Sequence, residues 1–97
     1  MIVSFKDKAS EDLFNGIGSR VARKACPQAL WRILARKLDQ LDSVQSLDEL
    51  KIPPGNRLEA LSGNRKGQYS IRINEQYRIC FKWGESGPEN VEVTDYH

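Results

Sequence analysis

The hydrophobic pattern of this 97-residue chain changes its period near the middle. Before the breaker cluster Pro53-Pro54-Gly55-Asn56, apolar residues follow the spacing of a helix: Leu30, Ile33, Leu34, Leu38 and Leu41. After it, apolar and polar residues alternate as they do in strands: Tyr69, Ile71, Ile73, Tyr77, Ile79 and Phe81. Helices followed by strands predict an α+β fold, with two N-terminal helices packed on a mostly antiparallel sheet of four to five strands.

Local signals set the expected boundaries of these elements. Short strands are expected at residues 2–5 and 91–93. Ser10 is predicted to cap the first helix and the glycines of residues 16–18 to end it, whereas Pro27 is predicted to open the second. Glycines followed by basic residues are compatible with a mobile loop over residues 16–27, and the sequence leaves the order of this segment open.

The composition, 39% hydrophobic and 29% charged, suits a soluble globular protein, and a chain of this length forms one domain, residues 1–97. No apolar run approaches the ~20 residues that span a membrane, and no signal peptide is visible, so a cytoplasmic location is expected. Cys26 and Cys80 lack CxxC spacing and are expected to be reduced core thiols. With one histidine in the chain, neither a metal site nor a cofactor is predicted.

The net charge of +2 is small, but the charges are segregated along the chain. Residues 20–37 carry six basic side chains and no acidic one, and residues 65–82 carry five basic ones against Glu75 alone. An acidic segment, residues 39–49, separates them. This distribution is typical of a nucleic-acid-binding surface, and it also fits the solvated faces of a helix and a strand.

Two arginines are expected to face each other across one hairpin. If Asn74-Glu75-Gln76 forms its loop, Arg72 and Arg78 lie opposite each other on one side of the sheet. Opposed guanidinium groups repel unless an anion lies between them, and each offers a bidentate donor fork to a phosphate. The alternative is that one of them forms a structural salt bridge with Glu59 or Glu92.

The chain ends with Asp95, Tyr96 and His97, its only histidine. Histidine titrates near neutrality and can therefore donate or accept a proton at working pH. Beside Arg72 and Arg78, these groups supply what metal-free RNA cleavage needs: charge stabilisation at phosphorus, an aromatic ring for base stacking and a proton carrier. In such a reaction the substrate's own 2′-hydroxyl attacks the adjacent phosphorus.

Several segments carry a specific pattern: Met1-Ile2-Val3-Ser4-Phe5, then Asn56-Arg57-Leu58-Glu59-Ala60-Leu61-Ser62-Gly63-Asn64-Arg65, Gly67-Gln68-Tyr69-Ser70-Ile71-Arg72-Ile73-Asn74, Gln76-Tyr77-Arg78-Ile79-Cys80-Phe81 and Asp95-Tyr96-His97. Through them the chain resembles the HigB branch of the RelE/ParE toxin superfamily over nearly its whole length. The helical half contributes less to the resemblance than the strands and the terminal tripeptide.

The resemblance implies the RelE-like fold and a bacterial type II toxin that cuts messenger RNA on the translating ribosome. It also implies a HigA-like helix-turn-helix antitoxin as partner, with operator DNA contacted only through that antitoxin and ribosomal RNA contacted by the basic surface. Carried over by position, Arg78 matches the catalytic-site arginine of the family, and Asp95, Tyr96 and His97 match its functional C-terminal residues.

The chain departs from the family pattern at two positions. Some relatives carry a histidine where this chain has Glu59 and a lysine where it has Ser62. Glu59 is one candidate for the base, as a carboxylate, and the alternative is that this branch relies on Arg57, Arg65 and His97. The remaining candidate RNA contacts are Arg57, Arg65, Lys66 and Arg72. Two other functions stay open: a toxin of the same fold without RNase activity, as in gyrase-poisoning relatives, and a regulatory binding module without catalysis.

Overall fold

The computed structural model describes residues 1–96, so the prediction for His97 lies outside the described residues. Within these 96 residues, three α-helices precede four strands. They are α1 (Lys8–Phe14), α2 (Arg20–Ala25), α3 (Trp31–Ser43), β1 (Glu59–Ala60), β2 (Tyr69–Arg72), β3 (Tyr77–Gly84) and β4 (Gly87–Asp95). Short 3₁₀ turns lie at Gln28–Leu30, Leu47–Lys51, Pro54–Asn56 and Gly63–Arg65.

The four strands form one antiparallel sheet in the order β1-β2-β3-β4. The N-terminal segment lies along the outer edge of β4, where Phe5 forms a single parallel bridge with Val91. The backbone amide of Val3 donates to the carbonyl of Pro88 at 2.8 Å in the same segment. The α+β class and the mostly antiparallel sheet are therefore confirmed, and the strand expected at residues 2–5 is reduced to an isolated bridge.

The helices cover one face of the sheet, and the core lies between the two layers. The helical stripe of the sequence supplies one side of this core, because Leu34, Leu38 and Leu41 of α3 are fully buried. Ile79 and Phe81 of β3 belong to the same buried cluster. Strand alternation then turns their neighbours, including the arginines, toward the opposite face.

The helical half contains three helices rather than two. Residues 16–27, whose order the sequence left open, contain α2, which begins after Ser19. The Ser19 side chain caps this helix by accepting from the amide of Ala22 at 3.2 Å. The two glycines nearby suggested a loop, but a capped helix of six residues fits directly after them.

Two helix starts also differ from the expectation. Asp7, not Ser10, caps α1, because its side chain accepts from the Ser10 amide at 2.8 Å, while the buried Ser10 hydroxyl accepts from the Val93 amide. Pro27 does not open a long helix. It precedes the turn Gln28–Leu30, and α3 begins only at Trp31. None of the helices within residues 1–96 is long and apolar enough to cross a membrane.

Candidate active site

The hairpin between β2 and β3 places two arginines side by side on the outer face of the sheet. Its loop is fixed by Asn74, whose side-chain oxygen accepts from the amides of Gln76 at 2.8 Å and Tyr77 at 2.7 Å. Arg72 then lies directly opposite Arg78 in the strand register, as the sequence predicts. The paired β4 carries Tyr96 to the same end of the sheet, because Asp95 lies opposite Tyr77.

Arg78 is held from three sides. Its Nη1 lies 3.3 Å from Glu59 Oε1, and its Nη2 donates to the carbonyl of Arg57 at 2.9 Å. Its Cζ lies 5.6 Å from the centre of the Tyr96 ring, within cation–π range. Its buried Nε has no hydrogen-bond partner among the described residues. Only 12% of the side chain is exposed, so the guanidinium is oriented before any ligand arrives.

The backbone at Arg57 makes this contact possible. Arg57 adopts a left-handed conformation with φ 46° and ψ 56°, directly after the 3₁₀ turn Pro54–Asn56. An arginine in the left-handed region is uncommon. In this conformation the carbonyl of Arg57 accepts a hydrogen bond from Arg78, and the side chain of the preceding Asn56 is buried. The turn therefore belongs to the architecture of the site.

An open cleft of about 280 Å³ lies in front of these arginines. Its lining consists of Arg57, Glu59, Arg72, Asn74, Glu75, Arg78 and Tyr96. Three guanidinium groups thus face two carboxylates. The ion pair between Arg72 and the almost fully exposed Glu75 is weak, because Nη2 and Oε1 are as far apart as 4.0 Å and solvent screens their charges. The cleft therefore has room and positive charge for a phosphate.

A second open cleft of about 380 Å³ lies on the other side of Tyr96. It is lined by Ser62, Asn64, Arg65, Asp95 and Tyr96. Arg65 is not free in it, because Nη1 contacts Glu92 at 3.0 Å and Gln68 at 3.1 Å. The hydrogen bond with Glu92 holds the pKa of the Arg65 guanidinium above its ordinary value. Arg65 therefore ties the turn Gly63–Arg65 to the sheet.

The structure brings most of the predicted site residues together. Arg57, Glu59, Arg72, Arg78 and Tyr96 line the first cleft, and Arg65 and Asp95 line the second. Lys66 is exposed and is not among the residues lining either cleft. The salt bridge that the sequence left as an alternative is also present, since Glu59 pairs with Arg78. Glu92 pairs with Arg65 and Lys6 instead of Arg72 or Arg78.

Sequence reasoning missed the contributions of the hairpin loop. Asn74 and Glu75 line the first cleft, and Gln76 donates from its side chain to Asp95 at 2.9 Å. The available signal was the turn chemistry of Asn74, whose short amide favours closure onto the following backbone amides. Gln76 thereby helps hold the end of β4 against the loop.

The sequence of the chain is similar to those of known toxins. The family described as "RelE-like toxin of type II toxin-antitoxin system HigB" matches residues 3–97. Toxin HigB-1 of Vibrio cholerae is 43% identical over 83 residues, which cover 86% of this chain and 84% of that protein.

Solved structures show the same fold at low sequence identity. The YoeB-YefM complex from Staphylococcus aureus contains a chain similar to this one, with a TM-score of 0.61 and 15% identity, covering 100% of this chain and 98% of that chain. The YoeB/ParE toxin from Agrobacterium tumefaciens has a TM-score of 0.55 and 19% identity, covering 99% and 98%. The protein therefore belongs to the HigB family of RelE-like toxins from type II toxin–antitoxin systems.

Proposed function

We propose that this toxin is a ribosome-dependent endoribonuclease that cuts translated messenger RNA without a metal ion. The opposed pair Arg72 and Arg78 carries the proposal. Two adjacent cations repel each other across a strand pair, and the repulsion is relieved when an anion binds between them. The two non-bridging oxygens of a phosphodiester share its negative charge and can accept hydrogen bonds from both guanidinium groups.

In the proposed reaction the 2′-oxygen of the substrate bonds to the adjacent phosphorus, and the bond to the 5′-oxygen breaks. The products are a 2′,3′-cyclic phosphate and a free 5′-hydroxyl. Arg72 and Arg78 stabilise the extra negative charge that develops on the phosphate oxygens. Glu59 takes the proton from the 2′-hydroxyl, and His97, by resemblance to the family, gives a proton to the leaving oxygen.

The contact between Glu59 and Arg78 gives this assignment a physical basis. Glu59 is about half exposed and lies at the rim of the cleft, whereas Arg78 is nearly buried. A bound phosphate competes with the carboxylate for the same guanidinium. When the phosphate binds, Glu59 is released from Arg78 while it remains within the cleft, and it can then accept a proton.

Tyr96 and Asp95 have supporting roles in this proposal. The Tyr96 ring faces Arg78 and separates the two clefts, so it offers a surface on which a base can stack. Asp95 accepts from Gln76 and keeps the end of β4 in place. Arg57 and Lys66 are proposed to add positive charge along the path of the RNA, whereas the charge of Arg65 is offset by its contact with Glu92.

We further propose that a HigA-like helix-turn-helix antitoxin neutralises the toxin in the bacterial cytoplasm and alone contacts operator DNA. The support is the family membership, together with a similar fold in the YoeB-YefM complex. The exposed basic side chains of α2, which include Arg20, Arg23 and Lys24, are proposed to contact ribosomal RNA.

The test is primer-extension mapping of a reporter messenger RNA after induction of the toxin. The parent should produce discrete cuts within translated codons, and Arg78→Ala should reduce them about 100-fold, the typical loss on removing one transition-state donor. Deletion of His97 should also abolish them. Lys82→Ala, on the same strand and exposed, is the matched control and should cut like the parent.

One observation favours a second candidate, a toxin of the same fold that does not cleave RNA. Arg78 already has a carboxylate and a carbonyl as partners, which satisfies much of its guanidinium without a phosphate. Growth arrest without cuts in the messenger RNA would support this candidate. If the toxin caused no arrest at all, a regulatory binding module would be the better description.

A further inference from the structure

A groove separate from the two clefts lies between α3 and the segment around the turn Pro54–Asn56. Its volume is about 290 Å³. The residues that line it are Ile33, Arg36, Lys37, Gln40, Pro53 and Asn56. The floor is largely apolar, and its two charged residues are both basic. No carboxylate is part of its lining, so the groove offers positive charge without an internal counter-ion.

Lys37 is the most constrained of these cations. Its Nζ donates to the side-chain oxygen of Asn56 at 2.6 Å, and none of the ion pairs found within residues 1–96 includes it. Asn56 is itself fully buried and donates to Gln40 and to the carbonyl of Leu50. The ammonium group is therefore held in place by a neutral amide that cannot neutralise it.

The electrostatics of Lys37 connect the groove with the arginine cleft. Desolvation lowers the pKa of Lys37, and the positive charges of Arg36 and Arg72 lower it further. Arg72 belongs to the lining of the cleft, so its charge acts on both sides. The left-handed Arg57 joins the two surfaces, because Asn56 lines the groove and Arg57 lines the cleft.

We propose that this groove is a second phosphate subsite for the same RNA strand, with Arg36 and Lys37 as its contacts. The inference rests on the proposed function and deepens it. A bound phosphodiester would relieve the repulsion among Arg36, Lys37 and Arg72. The apolar side chains of Ile33 and Pro53 would contact the uncharged parts of the nucleotide. A contact to phosphate does not distinguish between bases, so it contributes affinity but no sequence specificity.

The first measurement is fluorescence anisotropy with a short single-stranded RNA whose 2′-hydroxyls are all methylated, so that it cannot be cut. Arg36→Gln and Lys37→Gln should each weaken binding about tenfold at low salt. The slope of log K against log salt should become shallower by about 0.7 for the lost phosphate contact. Lys82→Gln removes one exposed lysine far along β3 and should leave both quantities near those of the parent.

The second measurement uses translating ribosomes programmed with the reporter messenger RNA. The same two variants should raise KM several-fold and leave kcat near that of the parent, because the proposed contact is made equally in the bound substrate and in the transition state. Arg36 is exposed, so its variant tests the subsite even if Lys37→Gln perturbs the buried Asn56.

The outcomes separate this inference from the proposed function. If the parent cuts messenger RNA and the groove variants change neither RNA binding nor KM, the subsite is wrong and the nuclease stands. If the parent binds RNA through the groove without cutting it, the subsite stands and the nuclease is wrong. Variants that weaken binding of the antitoxin while RNA binding stays intact would assign the groove to a protein and overturn the inference.

Discussion

At the residue scale, Glu59 has two separable roles in the cleft. It contacts Arg78 at 3.3 Å and is also the candidate base. Glu59→Gln keeps a hydrogen-bond acceptor for the guanidinium but cannot take a proton. We therefore expect this variant to fold normally and to lose about 10²–10⁴-fold in kcat, the range of general base catalysis. Single-turnover cleavage of ribosome-bound messenger RNA is the measurement.

Glu75→Gln is the matched control for this prediction. Glu75 lines the same cleft and carries the same charge, but it is almost fully exposed and only weakly paired. The variant should therefore retain nearly all of the activity. Equal losses in both variants would mean that the cleft responds to its net charge, and Glu59 would then have no special role as a base.

The two thiols give a second prediction at the residue scale. Burial raises the pKa of Cys26 to about 11, and burial is also the main cause of the raised pKa of Cys80. A raised pKa keeps the thiol protonated, so at pH 8 only about one Cys26 in a thousand is a thiolate. Iodoacetamide should label neither cysteine in the folded toxin and both in 6 M guanidinium, as judged by intact mass. Rapid labelling of the native protein would contradict the burial.

At the scale of elements, the sequence predicts the sheet better than the helices. Alternation and a three-residue loop were sufficient to place Arg72 opposite Arg78, because strand pairing in a short hairpin follows local register. The start of a helix was harder to predict, because several residues near it can act as the cap. Asp7 and Ser10 are both capping types, and the choice is settled by Val93, which is 83 positions distant in sequence from Ser10.

The link between α1 and α2 can be tested at Ser19. Its hydroxyl donates to Asp12 at 2.7 Å and accepts from the Ala22 amide, so one side chain caps α2 and joins two helices. Ser19→Ala should destabilise the protein by about 1 kcal/mol through the lost cap alone. Urea unfolding at pH 7 measures the total loss. Ser86→Ala, in the exposed turn between β3 and β4, should cost almost nothing.

The same contact predicts a dependence on pH. The hydrogen bond from Ser19, followed by the interaction with Lys8, holds the pKa of Asp12 below its ordinary value. A lowered pKa in the folded state contributes stability above about pH 4, where the unfolded carboxyl is ionised, and this contribution disappears as the pH falls through the folded value. The difference in unfolding free energy between the parent and Ser19→Ala should therefore become smaller at acidic pH. If the difference in unfolding free energy did not change with pH, the Ser19 hydroxyl would stabilise the protein only as the helix cap of α2.

At the scale of the whole molecule, the site depends on contacts that no local pattern reveals. Arg78 on β3 reaches across β2 to Glu59 on β1, a strand of two residues, and to the carbonyl of a left-handed arginine. The sequence identified these residues as candidates and left a salt bridge with Glu59 or Glu92 as an alternative, but it could not decide which arginine pairs with which acid. The groove at Lys37 was also invisible, because it requires α3 to meet a turn 19 positions later in the chain.

The N-terminal segment supports the site from the opposite edge of the sheet, and this support can be separated from catalysis. Phe5 bridges Val91 of β4 and packs on Phe14 with ring centres 5.5 Å apart. Phe5→Ala should cost about 2 kcal/mol, less than for a fully buried ring because Phe5 is partly exposed. In a chain of this size the loss should lower Tm by about 10 °C in a thermal unfolding scan.

Cleavage by Phe5→Ala should nevertheless match the parent well below its Tm, because β3 pairs with β4 up to Asp95 and holds the end that carries Tyr96. Val3→Ala is the control within the same segment: its side chain is half exposed, and its backbone hydrogen bond to Pro88 does not depend on the side chain. It should leave both Tm and activity unchanged. If Phe5→Ala lost activity while remaining folded, the edge segment would be setting the position of Tyr96, and the two edges of β4 would be coupled.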